Sequence, residues 1–131
     1  MLRKLFFALC LTLALAGCEA GIFANTLAGC AMRPEPTLLP EGLPIAVAGK
    51  PYSVRLEVIN TSTPVHGIYV NDAHALPEGL WVEHQDRDSH GLITGTPLKA
   101  GTYEVHMSAG TYGTQCTGRR ASRVYNLVVT E

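Results

Sequence analysis

The chain has 131 residues, of which 47% are hydrophobic and 7% aromatic, and its 10 basic and 11 acidic residues give a formal net charge of −1 at pH 7. This length suits one domain with its own core. The charges form no long run of one sign, which argues against nucleic acid as a partner and against a polybasic membrane patch. We interpret the basic concentration at Arg119, Arg120 and Arg123 as a solvated loop and strand edge rather than an anion site.

The first 17 residues have the three parts of a secretory signal. Arg3 and Lys4 precede an apolar run, Leu5 to Ala16, which is shorter than the about 20 residues of a membrane span. The run ends at Leu15–Cys18 (LAGC), which resembles the lipobox of bacterial lipoproteins. This resemblance implies that a peptidase removes residues 1–17 and that Cys18 carries a diacylglycerol. The alternative is an ordinary cleaved signal that contains a cysteine.

The same four residues recur at Leu27–Cys30. An apolar segment that led to the second copy would include Glu19, which is costly in an inserting segment, so Cys18 is the favoured lipid site. Cys30 and Cys116 then remain as an even pair in an oxidising compartment, which predicts one disulfide. Two unpaired thiols are the alternative, and a lipid on the second copy would leave Cys116 alone.

The composition changes along the exported part of the chain. Residues 18–36 are rich in Ala and Gly and end in Arg33–Pro36 (RPEP), so we expect a lipidated N-terminus followed by an irregular, partly extended tether. From Thr37 onward short apolar alternations are separated by turn residues, and no segment has the period of a helix. Residues 37–131 are therefore predicted to form one β domain.

About seven short strands are predicted in this domain. The clearest is Tyr52–Ile59, in which Tyr, Val, Leu and Val alternate with polar residues, as in a half-buried strand. Strands near ten residues apart indicate an antiparallel sandwich. The predicted strands are Ile45–Ala48, Tyr52–Ile59, Val65–Val70, Leu80–His84, Leu92–Gly95, Thr102–Ala109 and Arg123–Thr130.

Three motifs in a fixed order connect the chain to a known family. Leu76–Leu80 (LPEGL), Gly91–Pro97 (GLITGTP) and Ala100–Tyr103 (AGTY) resemble the immunoglobulin-like repeats of bacterial surface proteins, and Gly49–Ser53 (GKPYS) matches the start of such a repeat. The resemblance implies an immunoglobulin- or cadherin-like sandwich. The hydroxyl of Tyr103 is in a position to bond an upstream carbonyl, as in a tyrosine corner.

The segment Ser108–Ala121 departs from the pattern of that family. It is longer and polar, with three glycines around Cys116. Loops that a scaffold holds at its surface commonly bind partners. We therefore expect this segment to be a contact element, with Tyr112, Arg119 and Arg120 as candidate binding residues. Trp81, which stands where the family usually has a smaller residue, is a further candidate.

Catalytic and metal chemistry is not indicated. No nucleophile motif or phosphate-binding loop is present, so we expect no catalytic residue, no enzyme activity and no cofactor. The segment Asp86–Gly91 has alternate oxygens like the start of a calcium loop but lacks the distant Glu, and it is better interpreted as a turn. Five histidines lack close zinc-ligand spacings, so we expect them to scatter over the surface without a metal; they are His66, His74, His84, His90 and His106.

The leading functional hypothesis is a lipid-anchored protein of the bacterial cell envelope. Its single domain would bind or scaffold another envelope protein without catalysis. Glu19 after the lipid site favours delivery to the outer membrane. The alternative is a carbohydrate- or peptidoglycan-binding module, and a structural stabiliser without a discrete ligand also stays open. A sugar site would need exposed aromatic rings in one plane, for which the candidates are Tyr69, Trp81, Tyr112 and Tyr125.

Overall fold

The computed structural model describes residues 1–4, 25 and 27–131, and the chain divides into two units, Met1–Arg33 and Pro34–Glu131. Most of the predicted signal, residues 1–17, lies outside the described residues, and so does the lipid site Cys18. In the first unit residues 2–4 and 27–31 are helical, where the sequence led us to expect an irregular tether around positions 27–31. None of the described helices has the length and apolar character to cross a membrane.

The second unit is a sandwich of two four-stranded sheets. The strands are β1 (Thr37–Leu39), β2 (Ala46–Val47), β3 (Tyr52–Ile59), β4 (Val65–Val70), β5 (Leu80–His84), β6 (His90–Gly95), β7 (Gly101–Thr111) and β8 (Arg120–Thr130). One sheet has the order β1-β3-β6-β5 and the other the order β2-β8-β7-β4. This confirms the predicted all-β sandwich.

Two details of the prediction are corrected. The described strands number eight instead of seven, because Thr37–Leu39 pairs with the end of β3 and buries Leu38. The sandwich is also not purely antiparallel, since β2 runs parallel to β8, with Ala46 opposite Val129. Strands of two or three residues, such as β2 and β1, are too short to show a periodicity in the sequence.

The core lies between the two sheets and follows the alternation of the longest strands. The inward residues of β3 are buried and the residues between them are exposed. In β7 and β8 the same alternation buries residues such as Val105, Met107, Tyr125 and Leu127. Hydrophobic burial of this kind is the main favourable term in folding. The most buried apolar residues are Leu38, Leu56, Val65, Ile93, Val105, Ala109, Tyr125 and Leu127.

The hairpin of β7 and β8 extends into the segment that was expected to be a loop. Thr111 is buried and its Oγ1 accepts a hydrogen bond from the Arg119 backbone N–H at 2.9 Å, while its own N–H donates to the Arg119 carbonyl at 2.8 Å. The expectation of one continuous loop over Ser108–Ala121 is therefore wrong. Within this segment, only residues 112–119 lie outside the strands.

The motif residues have structural roles. Gly79 and Gly95 have φ values of +98° and +123°, and a Cβ at either position would lie 2.0 Å from a backbone oxygen. Only glycine fits such a conformation and such a close approach without strain. The Tyr103 hydroxyl donates to the Lys99 carbonyl at 3.0 Å, which confirms the predicted upstream bond.

The cysteine pairing expected from the sequence is also confirmed. Cys30 and Cys116 are both disulfide-bonded. A cross-link between distant positions restricts the unfolded chain and so favours the folded one.

The chain before β3 is held by side chains of the sandwich. The Tyr125 hydroxyl donates to the Pro40 carbonyl at 2.7 Å, Tyr52 donates to the Pro44 carbonyl at 2.8 Å, and Arg123 Nε donates to the Leu38 carbonyl at 2.7 Å. Because β1 belongs to one sheet and β8 to the other, the bonds from β8 connect the two sheets at this edge.

Burial of Tyr125 predicts a loss of stability at alkaline pH. Burial raises the pKa of Tyr125 to about 12, from a usual value near 10. The proton is therefore held more tightly in the folded state, so the contribution of this group is complete below about pH 10 and is lost as the pH rises toward 12. The total loss is roughly 2–3 kcal/mol of the free energy of unfolding.

Urea unfolding of the full chain between pH 8 and pH 11.5 measures this effect. Tyr125→Phe is expected to be less stable at pH 8 by about 1–3 kcal/mol, because the Pro40 carbonyl loses its donor, and to lose stability less steeply above pH 10. Some loss of stability with rising pH should remain in Tyr125→Phe, because burial also raises the pKa of Tyr52. Tyr69→Phe, at an exposed tyrosine, is the control. Equal slopes for the wild type and Tyr125→Phe would contradict this account.

Candidate interaction surface

A β-bulge in β4 creates the most distinctive surface of the domain. Val65 pairs with Thr111 and Gly67 with Gly110, so the register shifts by one residue at His66. Residues three apart normally point to opposite faces of a strand. The shift instead brings His66 and Tyr69 to the same face, where His66 Nδ1 and the Tyr69 hydroxyl lie 2.8 Å apart. Bulges re-aim side chains in this way next to functional sites.

Two glycines in register make room for these rings. A Cβ on Gly67 would lie 2.2 Å from the Tyr69 hydroxyl, and a Cβ on Gly110 would lie 2.4 Å from Cε1 of His66. Both contacts are shorter than any van der Waals separation. The paired glycines of β4 and β7 thus form a flat floor on which the two rings lie.

The loop after β7 adds a second tyrosine. The Tyr112 ring meets the His66 ring edge to face, with centroids 5.5 Å apart. Its hydroxyl donates to Asp86 Oδ1 at 2.7 Å and its backbone N–H donates to the Pro64 carbonyl at 2.9 Å. The bond to the carboxylate is the main reason that the pKa of Tyr112 is raised, since loss of the phenol proton would place a second negative charge beside Asp86.

Two arginines complete the arrangement. The Arg87 guanidinium lies over the Tyr112 ring at 5.4 Å from its centroid, and the Arg120 guanidinium lies over the Tyr69 ring at 5.6 Å. These distances are within the range of cation–π attraction. Arg120 Nη1 also donates to Ser108 Oγ at 2.9 Å. We call His66, Tyr69, Arg87, Tyr112 and Arg120 the aromatic–arginine cluster.

The aromatic–arginine cluster continues into a shallow groove on the outer face of the sheet. The groove has a volume of about 490 Å³, and its walls include Tyr69, Ser108, Arg120 and Val124. Tyr69 is 43% exposed and Val124 57% exposed. The surface therefore combines apolar contact area with polar and charged groups.

The candidates predicted from the sequence are only partly brought together. Tyr112 and Arg120 both belong to the aromatic–arginine cluster. Arg119 instead pairs with Glu35, with Nη1 and Oε1 3.9 Å apart. Trp81 lies on β5, in the other sheet, where its Nε1 donates to Glu83 Oε1 at 3.2 Å.

The four aromatic residues that were candidates for a sugar site do not share one exposed plane. Tyr125 is only 1% exposed and belongs to the core, and Trp81 does not share a sheet with Tyr69. His66 and Arg87, which do join Tyr69 and Tyr112, were not identified from the sequence as binding residues. For His66 the local signal is the sequence Val-His-Gly-Ile-Tyr, in which a glycine lies between two ring-bearing residues and leaves space, whereas Arg87 has no such signal.

The acidic turn after β5 is engaged by protein donors. Asp88 Oδ1 accepts the backbone N–H of His90 at 2.9 Å, and this bond is the main cause of the lowered pKa of Asp88. Asp86 accepts the Tyr112 hydroxyl. Residues 85–89 thus form the turn between β5 and β6, which the sequence favoured over a calcium loop, while His90 and Gly91 begin β6.

The expectation that the histidines scatter is wrong for two of them. The rings of His74 and His106 stack at a centroid distance of 4.0 Å, at 10° between their planes. Glu104 lies beside both rings, and the three residues could hold a metal ion. The loop after β4 brings His74 back to β7, which sequence spacing does not reveal.

Fold and surface together define an immunoglobulin-like β-sandwich with a preformed aromatic surface. A family model described as "Putative Ig domain" matches residues 35–130. The match spans most of the chain, and the chain therefore belongs to this family of immunoglobulin-like domains. A search of curated proteins finds no match.

Solved structures contain similar folds within larger proteins. The sialic acid binding region of a Streptococcus sanguinis adhesin matches with a TM-score of 0.52 and 14% identity over 76% of this chain. An endo-fucoidan hydrolase of glycoside hydrolase family 107 matches with a TM-score of 0.51 and 15% identity over 73% of this chain. This chain spans only 30% and 14% of those two structures, so the similarity concerns the fold.

Substitution of Gly67 tests how the aromatic–arginine cluster is built. Gly67→Ala is expected to displace the Tyr69 ring and to remove its hydrogen bond to His66. The free energy of unfolding should change by less than about 1 kcal/mol, because the new methyl group meets the end of an exposed side chain and alanine is favoured over glycine in a strand. Nuclear Overhauser contacts between the two rings and urea unfolding measure both effects.

Gly42→Ala is the matched control, since a Cβ there would meet nothing within 4 Å. It should leave the ring contacts intact. Ring contacts that persist unchanged in Gly67→Ala would show that the glycine is not needed for them.

Proposed function

We propose that this protein is a lipid-anchored envelope protein whose immunoglobulin-like domain binds another protein, without catalysis, through the aromatic–arginine cluster. The proposal rests on the way in which the strands form this surface. A register shift and two facing glycines place His66 and Tyr69 on the outside of the sheet. The core does not need these rings, so a role outside folding accounts for them.

The chemistry of the aromatic–arginine cluster suits a protein interface. Tyrosine and arginine are enriched among the residues that dominate binding energy, because they combine large contact area with hydrogen bonding. The rings of Tyr69 and Tyr112 are already fixed by bonds to His66 and Asp86. Fixed side chains lose less entropy on binding, which favours affinity.

The aromatic–arginine cluster lacks the commonest nucleophiles. Its five members include no serine, cysteine or threonine. Membership of an immunoglobulin-like family is consistent with a non-enzymatic role, and we propose that role here.

The proposed anchor is a lipid on Cys18. The lipobox resemblance at Leu15–Cys18 supports this assignment, and the disulfide at Cys30 supports it further, because a cysteine in a disulfide is not available for acylation. More than one acyl chain gives stable membrane attachment. The proposed location is the bacterial cell envelope, with delivery to the outer membrane as the sequence favours.

Intact mass measurement of the mature protein tests the anchor. We expect a mass that begins at Cys18 and includes the lipid. Cys18→Ala should abolish the lipid, whereas Cys116→Ala, which breaks only the disulfide, should retain it. A lipid on Cys30 would overturn both the anchor and the disulfide assignments.

Carbohydrate binding is the second candidate function. It is supported by two exposed tyrosine rings that share one surface, and a similar fold occurs in the sialic acid binding region of the Streptococcus sanguinis adhesin. Against it, a guanidinium already lies over each tyrosine ring. A sugar that stacked on those faces would have to displace it. A protein partner can contact the guanidinium and the ring together, and we favour it for this reason.

Quantitative capture from cells tests the proposed surface. Full-length protein is crosslinked in intact cells, and the captured proteins are identified by mass spectrometry. Tyr112→Ala and Arg120→Ala are expected to reduce recovery of the partner, with the affinity falling at least about tenfold. Trp81→Ala, an exposed aromatic residue on the other sheet, is the control and should retain capture.

Two results would contradict the protein-binding proposal. Full capture by both cluster variants would exclude this surface. Binding to a glycan or to cell-wall fragments that depends on Tyr112, with no captured protein, would favour the carbohydrate function instead.

A further inference from the structure

We propose that His74, Glu104 and His106 form a binding site for a divalent transition metal ion of the zinc type. The site is separate from the aromatic–arginine cluster, and the inference does not depend on the proposed function. The nitrogen and carboxylate ligand atoms of the three side chains lie within 4.8 Å of one another.

Two of the three ligands, Glu104 and His106, lie on the outward face of β7. Val105 and Met107 point into the core, at 0% and 2% exposure, so Glu104 and His106 point outward on the same face. His106 Nε2 lies 2.7 Å from Glu104 Oε1. This contact is the main cause of the lowered pKa of Glu104.

The third ligand is held in place by its backbone. His74 lies in the loop after β4, and its carbonyl accepts the backbone N–H of His106 at 3.0 Å. Asn71 closes the loop, because its Oδ1 accepts the N–H of Ala73 at 2.8 Å and that of His74 at 3.2 Å. The Asn71 N–H in turn donates to the His106 carbonyl at 2.9 Å. The two histidines are therefore positioned before any ligand arrives.

The distances between the ligand atoms are close to those of a tetrahedral zinc site. Zinc–nitrogen bonds of about 2.0–2.1 Å in a tetrahedral site place neighbouring ligand atoms roughly 3.3 Å apart. His74 Nδ1 lies 3.7 Å from Glu104 Oε1, and His106 Nε2 lies 2.7 Å from the same oxygen. The nearly parallel rings must tilt so that both nitrogens face one ion. The side chains are 35–54% exposed and are free to make that adjustment.

The ligand set indicates the class of metal. Two imidazoles and one carboxylate suit zinc and its neighbours in the first transition row, whereas calcium and magnesium prefer oxygen ligands alone. Three protein ligands leave a coordination position for water or for a group from another molecule.

Calorimetric titration of the full chain in detergent with zinc chloride tests the site. We expect one ion per chain, and magnesium chloride should give no binding. His74→Ala and His106→Ala should each weaken zinc binding at least about tenfold. None of the three ligands is buried, so these variants are expected to keep the fold, which circular dichroism checks.

His90→Ala is the matched control. His90 is similarly exposed and lies 3.6 Å from Glu57 and 3.3 Å from Asp88, yet among the described residues its neighbours do not converge into a group that could hold a metal ion. Zinc binding should be unchanged in this variant. If a variant unfolds, histidine resonances of the wild-type chain decide the question, because zinc should shift those of His74 and His106 but not that of His90.

Three outcomes would overturn the inference. They are the absence of zinc binding at about 1 mM, undiminished binding in His74→Ala and His106→Ala, and an equal loss of binding in His90→Ala.

Discussion

The alternation of β7 is the constraint on which the rest of this domain depends. One set of its side chains, which includes Val105, Met107 and Ala109, is buried between the sheets. The other set faces outward and is divided along the strand. Glu104 and His106 belong to the proposed metal site, and Gly110 forms part of the floor under the aromatic–arginine cluster. If the register of β7 shifted by one residue, its core side chains would move to the surface and its surface side chains to the core. Burial of the inner set therefore determines which residues face outward at both sites.

The neighbours of β7 add what the strand alone lacks. On one side β4 shifts its register and supplies His66 and Tyr69. On the other side β8 pairs residue by residue with β7 and supplies Arg120 opposite Gly110. The loop after β4 returns His74 to the middle of the strand. Both sites are thus built on strands and on loops bonded to them, which fixes the backbone of each site without a ligand.

Much of the fold was predictable because it follows from period and turn chemistry. The strict alternation of Tyr52–Ile59 identifies a core strand, and Gly79 and Gly95 mark backbone conformations that other residues avoid. The three-residue strand β1 was missed because only Leu38 faces inward. The ends of the β7–β8 hairpin beyond Ala109 and before Arg123 were missed because Gly110, Thr111 and Ala121 are small or polar, although Thr111 and Ala121 are buried.

The sites were less predictable, because they depend on pairing between distant segments. The aromatic–arginine cluster needs a register shift that sequence patterns do not show, although Tyr112 and Arg120 were identified from their position in an atypical segment. The convergence of His74 and His106 needs the loop after β4 to fold back. In both cases the residue types were visible in the sequence and their proximity was not.

The central claim is that the outer face around Tyr112 contacts another protein of the envelope. The most direct test is a photoactivatable amino acid placed in living cells at position 69, at position 112 or, for comparison, at position 81. Our account predicts crosslinks to the same protein from positions 69 and 112 and none to it from position 81. Crosslinks to a protein from position 81 alone would contradict it.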